Sequence, residues 1–192
     1  MLAGLTRLRQ ICCDPRLCLE GYTGGSGKLV QCVELVRELI CAGHRILLFS
    51  QFTAMLDILR DELEKQDVTT FSLTGDTEKE ERMALVSRFN EGGAQVFLIS
   101  LKAGGTGLNL TGADVVIHYD PWWNTSAQNQ ATDRAYRIGQ KRGVQVIRLI
   151  AGDTIEARIL RLQQRKSELS DGVLMGGENL FNMDVQELRK LL

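Results

Sequence analysis

The chain has 192 residues, of which 44% are hydrophobic and 24% are charged, and its formal net charge is −1, as is usual for a globular domain. This balance excludes a uniformly basic nucleic-acid-binding protein, so any nucleic-acid surface is expected to be a local patch. No run of about 18 apolar residues is present and the N-terminus lacks the apolar core of a signal peptide, so we expect no membrane span and an intracellular location.

The first 27 residues are predicted to form a lead-in helix and a loop. Leu5, Leu8 and Ile11 recur at helical spacing, and Asp14-Pro15 ends that pattern. The five cysteines are odd in number, form no C-x-x-C pair and have no histidine at ligand spacing. We therefore expect free thiols, with no metal site and no disulfide framework. These cysteines are Cys12, Cys13, Cys18, Cys32 and Cys41.

The segment GGSGKL, residues 24–29, has the look of a phosphate-binding loop. Such a loop requires G-x-x-x-x-G-K-[ST], because the hydroxyl after the lysine holds magnesium. Here Tyr22 occupies the first glycine position, Leu29 follows Lys28, and no apolar strand precedes the segment. We reject a phosphate-binding role for it and expect Lys28 to begin a helix that continues to Ile40.

From residue 45 onward, apolar strands alternate with amphipathic helices. The predicted strands cover residues 45–50, 69–73, 95–100, 114–119 and 144–150. The predicted helices cover residues 53–65, 77–90, 126–137 and 154–169, and a glycine-rich loop rather than a helix is expected directly after the third strand. Continuous apolar strands that alternate with helices indicate a parallel sheet covered on both faces.

In such a sheet, ligands bind outside the carboxyl ends of the strands. Four segments are expected to meet at that edge: Ser50, residues 73–75, residues 100–109 and residues 120–124. The loop AGGTGLN, residues 103–109, could bring backbone N–H groups close to an anion, because glycine permits a close approach. A plain crossover loop also fits this pattern.

Both tryptophans of the chain stand side by side in YDPWWN, residues 119–124. Adjacent residues of an extended segment face opposite ways. We expect Trp122 to pack inward, and Trp123 either to pack or to contact a base or sugar. His44 and His118 are expected to be structural.

The segment QATDRAYRIGQKR, residues 130–142, concentrates Arg134, Arg137, Lys141 and Arg142. Arginines three residues apart share a helix face. A planar guanidinium that keeps its charge suits a phosphate whose charge grows in a transition state. A solvated basic helix face is the alternative, and the glycine-rich loop upstream favours phosphate chemistry.

The order FSQFTAMLDIL, SLTGDT, SLKAGGTGLNL, HYDPWWN and QATDRAYRIGQKR resembles the carboxyl-terminal RecA-like lobe of Swi/Snf-type ATPases. These are double-stranded-DNA translocases of helicase superfamily two, and the resemblance extends from about Leu5 to Ser167. It implies a RecA-like α/β three-layer sandwich with a mainly parallel sheet over residues 28–170, after a lead-in at 1–27 and before a tail with a short helix at 171–192.

For activity, the resemblance implies a motor that hydrolyses ATP in a cleft between two such lobes. ATP with magnesium would be held mainly by an N-terminal RecA-like lobe, because these 192 residues contain no phosphate-binding loop. The implied partners are double-stranded DNA, that first lobe and a DNA-bound protein target.

The resemblance also assigns roles to residues. It implies that the catalytic arginine fingers are Arg134 and Arg137, held in geometry by Gln130 and Asp133. It implies that Gly105 and Gly107 belong to a loop that borders the bound nucleotide, and that Asn109 lies near the ribose. The implied DNA contacts are Ser50, Gln51, Thr74, Gly75, Ser100, Lys102 and Trp123. Thr125 stands where many members have proline, which leaves the contact of Trp123 open.

Two other functions remain open at this point. One is a lobe of a strand-separating DNA or RNA helicase, although DEAD-box relatives carry H-R-x-G-R-x-G-R where this chain has DRAYRIGQ. The other is a non-catalytic interaction module with the same fold. A lobe with a true phosphate-binding loop, encoded upstream in the same gene, would distinguish the motor from the module.

Overall fold

The computed structural model describes residues 2–104, 108–122 and 143–171. The helices of this part are α1 (Leu2–Cys13), α2 (Gly27–Cys41), α3 (Thr53–Glu64), α4 (Lys79–Asn90), α5 (Leu101–Gly104) and α6 (Ile155–Asp171), with a short 3-10 helix at Pro15–Leu17. The strands are β1 (Ile46–Ser50), β2 (Thr70–Leu73), β3 (Val96–Ser100), β4 (Val115–His118) and β5 (Gln145–Arg148).

The described strands form one parallel sheet in the order β2-β3-β1-β4-β5. β1 lies in the middle, with Ser50 opposite Ser100 of β3 and Phe49 opposite His118 of β4. All five residues of β1 are buried, as expected of a central strand with neighbours on both sides. The predicted parallel sheet is confirmed.

Helices cover both faces of the sheet, and successive residues of β1 point to opposite faces. Ile46 and Leu48 pack in a core with residues of α2 and α3, while Leu47 and Phe49 pack in a second core with Phe89 of α4. Each face therefore has its own apolar layer, which confirms the three-layer α/β sandwich.

Two glycines end the helices that return the chain to the amino edge of the sheet. Gly43 after α2 has φ 83°, and Gly92 after α4 has φ 100°. Glycine adopts this left-handed conformation without the steric cost that a Cβ imposes. Each helix can therefore stop and turn into the strand that follows.

Two local predictions were wrong. A helix, not a loop, follows β3 directly: α5 is one turn long and lies where the sequence predicted only the glycine-rich loop. The predicted buried strand at residues 144–150 is reduced to β5, in which three of four residues are exposed. β5 pairs with β4 alone among the described strands, so it is an edge strand.

The lead-in helix α1 packs on the domain through one face, and Leu5 is the member of the predicted apolar set that lies on it. Leu5, Arg9 and Cys13 are 3%, 4% and 0% exposed, while Leu8 and Ile11 are 39% and 41% exposed. Cys13 belongs to the core beneath α2 and α3, and Leu5 contacts α6 through Ile155 and Ile159. The boundary between residues 27 and 28 stays a prediction.

Candidate functional site

The carboxyl ends of β1, β2 and β3 meet at one edge of the sheet, because these strands are parallel and in register. This carboxyl edge brings together the following predicted DNA-contact residues: Ser50, Gln51, Thr74, Gly75, Ser100 and Lys102. The sequence therefore located this part of the edge.

The two serines of this edge are internal. Ser50 is 0% exposed and its hydroxyl donates to Oδ1 of Asp120 at 2.6 Å. Ser100 is 2% exposed and its Oγ accepts from the backbone N–H of Ala103 at 3.3 Å, in the first turn of α5. These hydroxyls brace the turns, while Lys102 and Gly75 are exposed and Gln51 is half-buried.

The turn after β2 is held by Thr77 and Arg82. Oγ1 of Thr77 accepts from the backbone N–H of Thr74 at 3.1 Å, and Nη2 of Arg82 donates to the carbonyl of Thr77 at 3.0 Å. A Cβ at Gly75 would meet no atom within 4 Å. The turn therefore presents open backbone at the carboxyl edge.

Asn109 lies at the opposite, amino edge of the sheet, so its predicted position at the carboxyl edge was wrong. Its carbonyl accepts from Nδ2 of Asn90 at 2.9 Å, and the backbone N–H of Gly112 donates to Oδ1 of the same side chain at 2.9 Å. Asn90 ends α4, which returns the chain to the start of β3. The crossover from β3 to β4 must make the same return, because the two strands are parallel. The ribose role of Asn109 stays a prediction.

The GGSGKL segment is the start of a helix, as predicted. Oγ of Ser26 accepts from the backbone N–H of Leu29 at 3.3 Å and caps α2. Nζ of Lys28 lies 2.8 Å and 2.7 Å from the two carboxylate oxygens of Glu156 in α6. Their side chains are 8% and 0% exposed. This amine is committed to an internal ion pair, which the sequence did not reveal.

Two further predictions on single residues are confirmed. Trp122 is half-buried and packs against the core on the α4 side of the sheet. His118 is 1% exposed and stacks on Phe49 with ring centroids 5.6 Å apart. Burial, together with the charge of Arg148, lowers the pKa of His118 to about 4. It is therefore a neutral structural side chain at physiological pH.

Asp120, which follows β4 at the carboxyl edge, is a buried titratable group with a strongly shifted pKa. It is 1% exposed. Burial raises its pKa to about 6, against the opposing effects of the Ser50 hydroxyl, the charges of Arg9 and Lys28 and the Gln51 N–H. Sequence reasoning gave this carboxylate no role of its own, although it begins the segment Asp120 to Asn124.

The remaining predicted residues lie outside the described part of the chain. They are Gly105, Gly107, Trp123, Gln130, Asp133, Arg134 and Arg137, together with Lys141, Arg142 and the helix predicted at residues 126–137. Their roles stay predictions.

The described residues hold no group of three or more histidine, cysteine or acidic residues placed to bind a metal ion. Among the same residues, none of the helices has the length and apolar character needed to cross a membrane. All five cysteines are free thiols.

The comparisons with known proteins agree on one family. A model of the helicase conserved C-terminal domain matches residues 28–139. The chain is 41% identical over 201 residues to a putative ATP-dependent helicase/translocase, YwqA, of Bacillus subtilis, which covers 100% of this chain and 21% of that protein. It is 45% identical over 160 residues to the chromatin-remodeling ATPase INO80 of Emericella nidulans, which covers 83% of this chain and 10% of that protein.

A solved structure also matches the whole chain. The SWI2/SNF2 ATPase core of Sulfolobus solfataricus in complex with double-stranded DNA is similar with a TM-score of 0.79 and 35% identity, covering 100% of this chain and 41% of that one. The chain spans about a fifth or less of the length of the curated relatives it matches here.

Proposed function

Because this chain belongs to the helicase conserved C-terminal domain family, in its SWI2/SNF2-type branch, we propose that it is the second motor lobe of an ATP-dependent double-stranded-DNA translocase. The observation that carries the proposal is the likeness over the whole chain to an ATPase core that was solved with double-stranded DNA. The lobe supplies arginine fingers to ATP hydrolysis and contacts to the DNA backbone. An intracellular place of action stays part of this proposal.

The proposed DNA contacts lie along the carboxyl edge. Lys102 is exposed there, beside the open backbone at Gly75 and the half-buried Gln51. A lysine and backbone N–H groups bind phosphates, which fixes the register of a protein on DNA without reading the sequence. This composition supports a surface that tracks the duplex backbone, and it fits a translocase because such a motor must move over any sequence.

The one segment that looks like a phosphate-binding loop does not have its lysine free to bind a triphosphate. Lys28, the lysine of the segment that looks like a phosphate-binding loop, is paired with Glu156 and nearly buried. We therefore propose that ATP with magnesium is held mainly by a first lobe of a longer protein, and that Arg134 and Arg137 reach the shared cleft from this lobe.

The arginine fingers and the DNA contacts together would couple ATP hydrolysis to movement along DNA. Guanidinium groups that enter the cleft only when the lobes close would make hydrolysis depend on closure. The same closure would move the carboxyl edge along the duplex relative to the first lobe. What is moved by this motor is proposed to be a protein bound to the same DNA.

We expect this chain to bind duplex DNA weakly, with an affinity that falls steeply with salt and does not depend on sequence. Lys102→Ala should weaken binding equally for all sequences and lower the salt slope by about one. Fluorescence anisotropy of labelled duplexes across a salt series measures both. Lys65→Ala is the control, because Lys65 is also exposed but follows the carboxyl end of α3, at the amino edge. Sequence-selective or salt-insensitive binding would contradict the proposal.

A further inference from the structure

The turns that leave β1 and β4 share one buried carboxylate. Oδ1 of Asp120, after β4, accepts from the Ser50 hydroxyl at 2.6 Å, and its two oxygens lie 3.2 Å and 3.3 Å from the backbone N–H of Gln51. Oγ of Ser50 in turn accepts from the backbone N–H of Phe52 at 3.2 Å. A single side chain from the β4 turn therefore binds two successive residues of the β1 turn directly, and the Ser50 hydroxyl extends the network to Phe52.

The opposing charge comes from the lead-in helix. Nη2 of Arg9 in α1 donates to the carbonyl of Pro121 at 2.6 Å and lies 3.9 Å from Oδ2 of Asp120. Its guanidinium also lies 5.8 Å from the centre of the Phe52 ring. Arg9 is 4% exposed. One residue of α1 thus contacts both turns at once, which a planar guanidinium with five donors is suited to do.

Buried ion pairs of this kind add little net stability, because removing two charges from water costs about as much as their attraction returns. They can instead fix one arrangement of the groups around them. Here the fixed arrangement is the spacing between two turns of the proposed DNA surface. Gln51 belongs to the first turn, and the second turn leaves β4 at the same carboxyl edge, because β1 and β4 are parallel neighbours.

We propose that Arg9 and Asp120 are positioning residues for duplex binding, and that α1 sets the spacing of the β1 and β4 turns through them. This inference rests on the proposed function. Neither side chain is accessible to DNA, so both act through the turns they hold. The lead-in helix then supports the DNA-binding surface, and a shift of α1 would change the spacing of the two turns at the carboxyl edge.

The proposal predicts that duplex affinity depends on pH in the direction opposite to that expected from the protein's overall charge. The groups facing Asp120 are Arg9 and Cys13 of α1, Lys28 of α2, and Ser50 with Gln51 after β1, with Glu156 of α6 beyond Lys28. As the pH falls through about 6, Asp120 takes up a proton and its hold on Arg9 and the Gln51 N–H weakens. Duplex affinity should then fall, whereas the protein's overall gain of positive charge on acidification would strengthen it.

The loss of affinity would not come from unfolding. The pKa of Asp120 is raised in the folded protein, so its ionisation disfavours the fold as the pH rises through about 6. Acidification from pH 7.5 to 5.5 therefore favours the fold as far as Asp120 is concerned. His118 stays neutral over that range, because its pKa is about 4. Affinity and stability should move in opposite directions.

The test measures the Kd of this chain for a labelled duplex of mixed sequence at low salt, at pH 7.5 and 5.5, with the melting temperature of each variant. Arg9→Gln should raise the Kd at pH 7.5 about tenfold more than Arg7→Gln. Arg7 is the matched control, because it lies on the same helix and carries the same charge but is exposed. Wild-type affinity should fall about threefold or more on acidification, and Asp120→Asn, which cannot titrate, should abolish that fall.

Equal effects of Arg9→Gln and Arg7→Gln in folded proteins would overturn the inference, since Arg9 would then act only as a charge. If Arg9→Gln does not fold, the pH profile decides: a fall of equal size in wild type and Asp120→Asn overturns the inference. Binding that depends on Lys102 but not on Arg9 or Asp120 would overturn this inference and leave the proposed function standing. A wild-type chain that binds no duplex would overturn the proposed function, and this inference with it.

Discussion

Replacing Arg137 with alanine in a protein that carries both lobes is expected to lower the rate of ATP turnover by about 10³- to 10⁵-fold, the range that an arginine finger contributes elsewhere. The reason is that a finger meets charge that grows in the transition state more than charge already present in bound ATP. The affinity for ATP should therefore change much less than the turnover. Arg134→Ala should behave in the same way.

The substituting residue and the control sharpen this prediction. Arg137→Lys should restore little activity, because a point charge cannot reproduce the planar fork of a guanidinium. Arg60→Ala should leave turnover unchanged, since Arg60 lies on the surface of α3 and pairs with Asp57 and Asp61. If the arginines only brace a helix, each alanine variant would lose thermal stability but keep its activity per folded molecule. Full turnover in a well-folded Arg137→Ala protein would remove the finger assignment.

Replacing Lys28 with methionine should lower the free energy of unfolding by about 3–5 kcal/mol, because it leaves the Glu156 carboxylate buried without its counter-charge. Glu156 is 0% exposed, and its other hydrogen bonds come from the Ala151 N–H at 2.9 Å and, more weakly, the Cys13 thiol at 3.9 Å. Lys28 also lies over the ring of Tyr119, 5.0 Å from its centre. The pair thus joins α2 to the first turn of α6.

Urea unfolding of matched variants measures this effect. Lys65→Met is the control, because Lys65 pairs with Glu62 at 3.1 Å but is 64% exposed, and exposed pairs contribute about 0–1 kcal/mol. Replacing both partners, as Lys28→Met with Glu156→Leu, should recover most of the loss. A cost for Lys28→Met no larger than that for Lys65→Met would show that the ion pair does not anchor α6.

The sheet could be predicted from the sequence because its signals are local. An apolar run at residues 45–50 predicted β1, which the structure gives as Ile46–Ser50. Gly43 and Gly92, which end α2 and α4 with positive φ, are signals of the same local kind. The edge strand β5 was overestimated, because an apolar run alone does not say whether a strand has one neighbour or two.

The side-chain contacts of the site could not be predicted in this way. Arg9 and Pro121 are 112 residues apart in sequence, and Lys28 and Glu156 are 128 apart. No periodicity or short motif encodes such pairs. One signal was present, since Leu5, Arg9 and Cys13 follow at intervals of four and share a helix face. An arginine on a helix face that is otherwise apolar indicated a buried partner.

Asn109 was misplaced for a topological reason that the sequence already contained. A chain that leaves the carboxyl end of β3 and enters parallel β4 must cross to the amino edge first. Asn109 and Gly112 already lie at that edge, where both hydrogen-bond to the side chain of Asn90. Counting the length of a crossover is therefore a better guide to position than proximity to a glycine-rich motif.

The most direct test of the proposal that this chain is the second lobe of a motor measures ATP hydrolysis by this chain alone and by a protein that joins it to a first lobe. Each protein is measured with and without duplex DNA. We expect no turnover above a buffer blank from this chain under either condition, and turnover that DNA stimulates from the joined lobes. Clear ATP turnover by this chain alone, abolished by Arg137→Ala, would contradict the proposal that it is one half of a two-lobe motor.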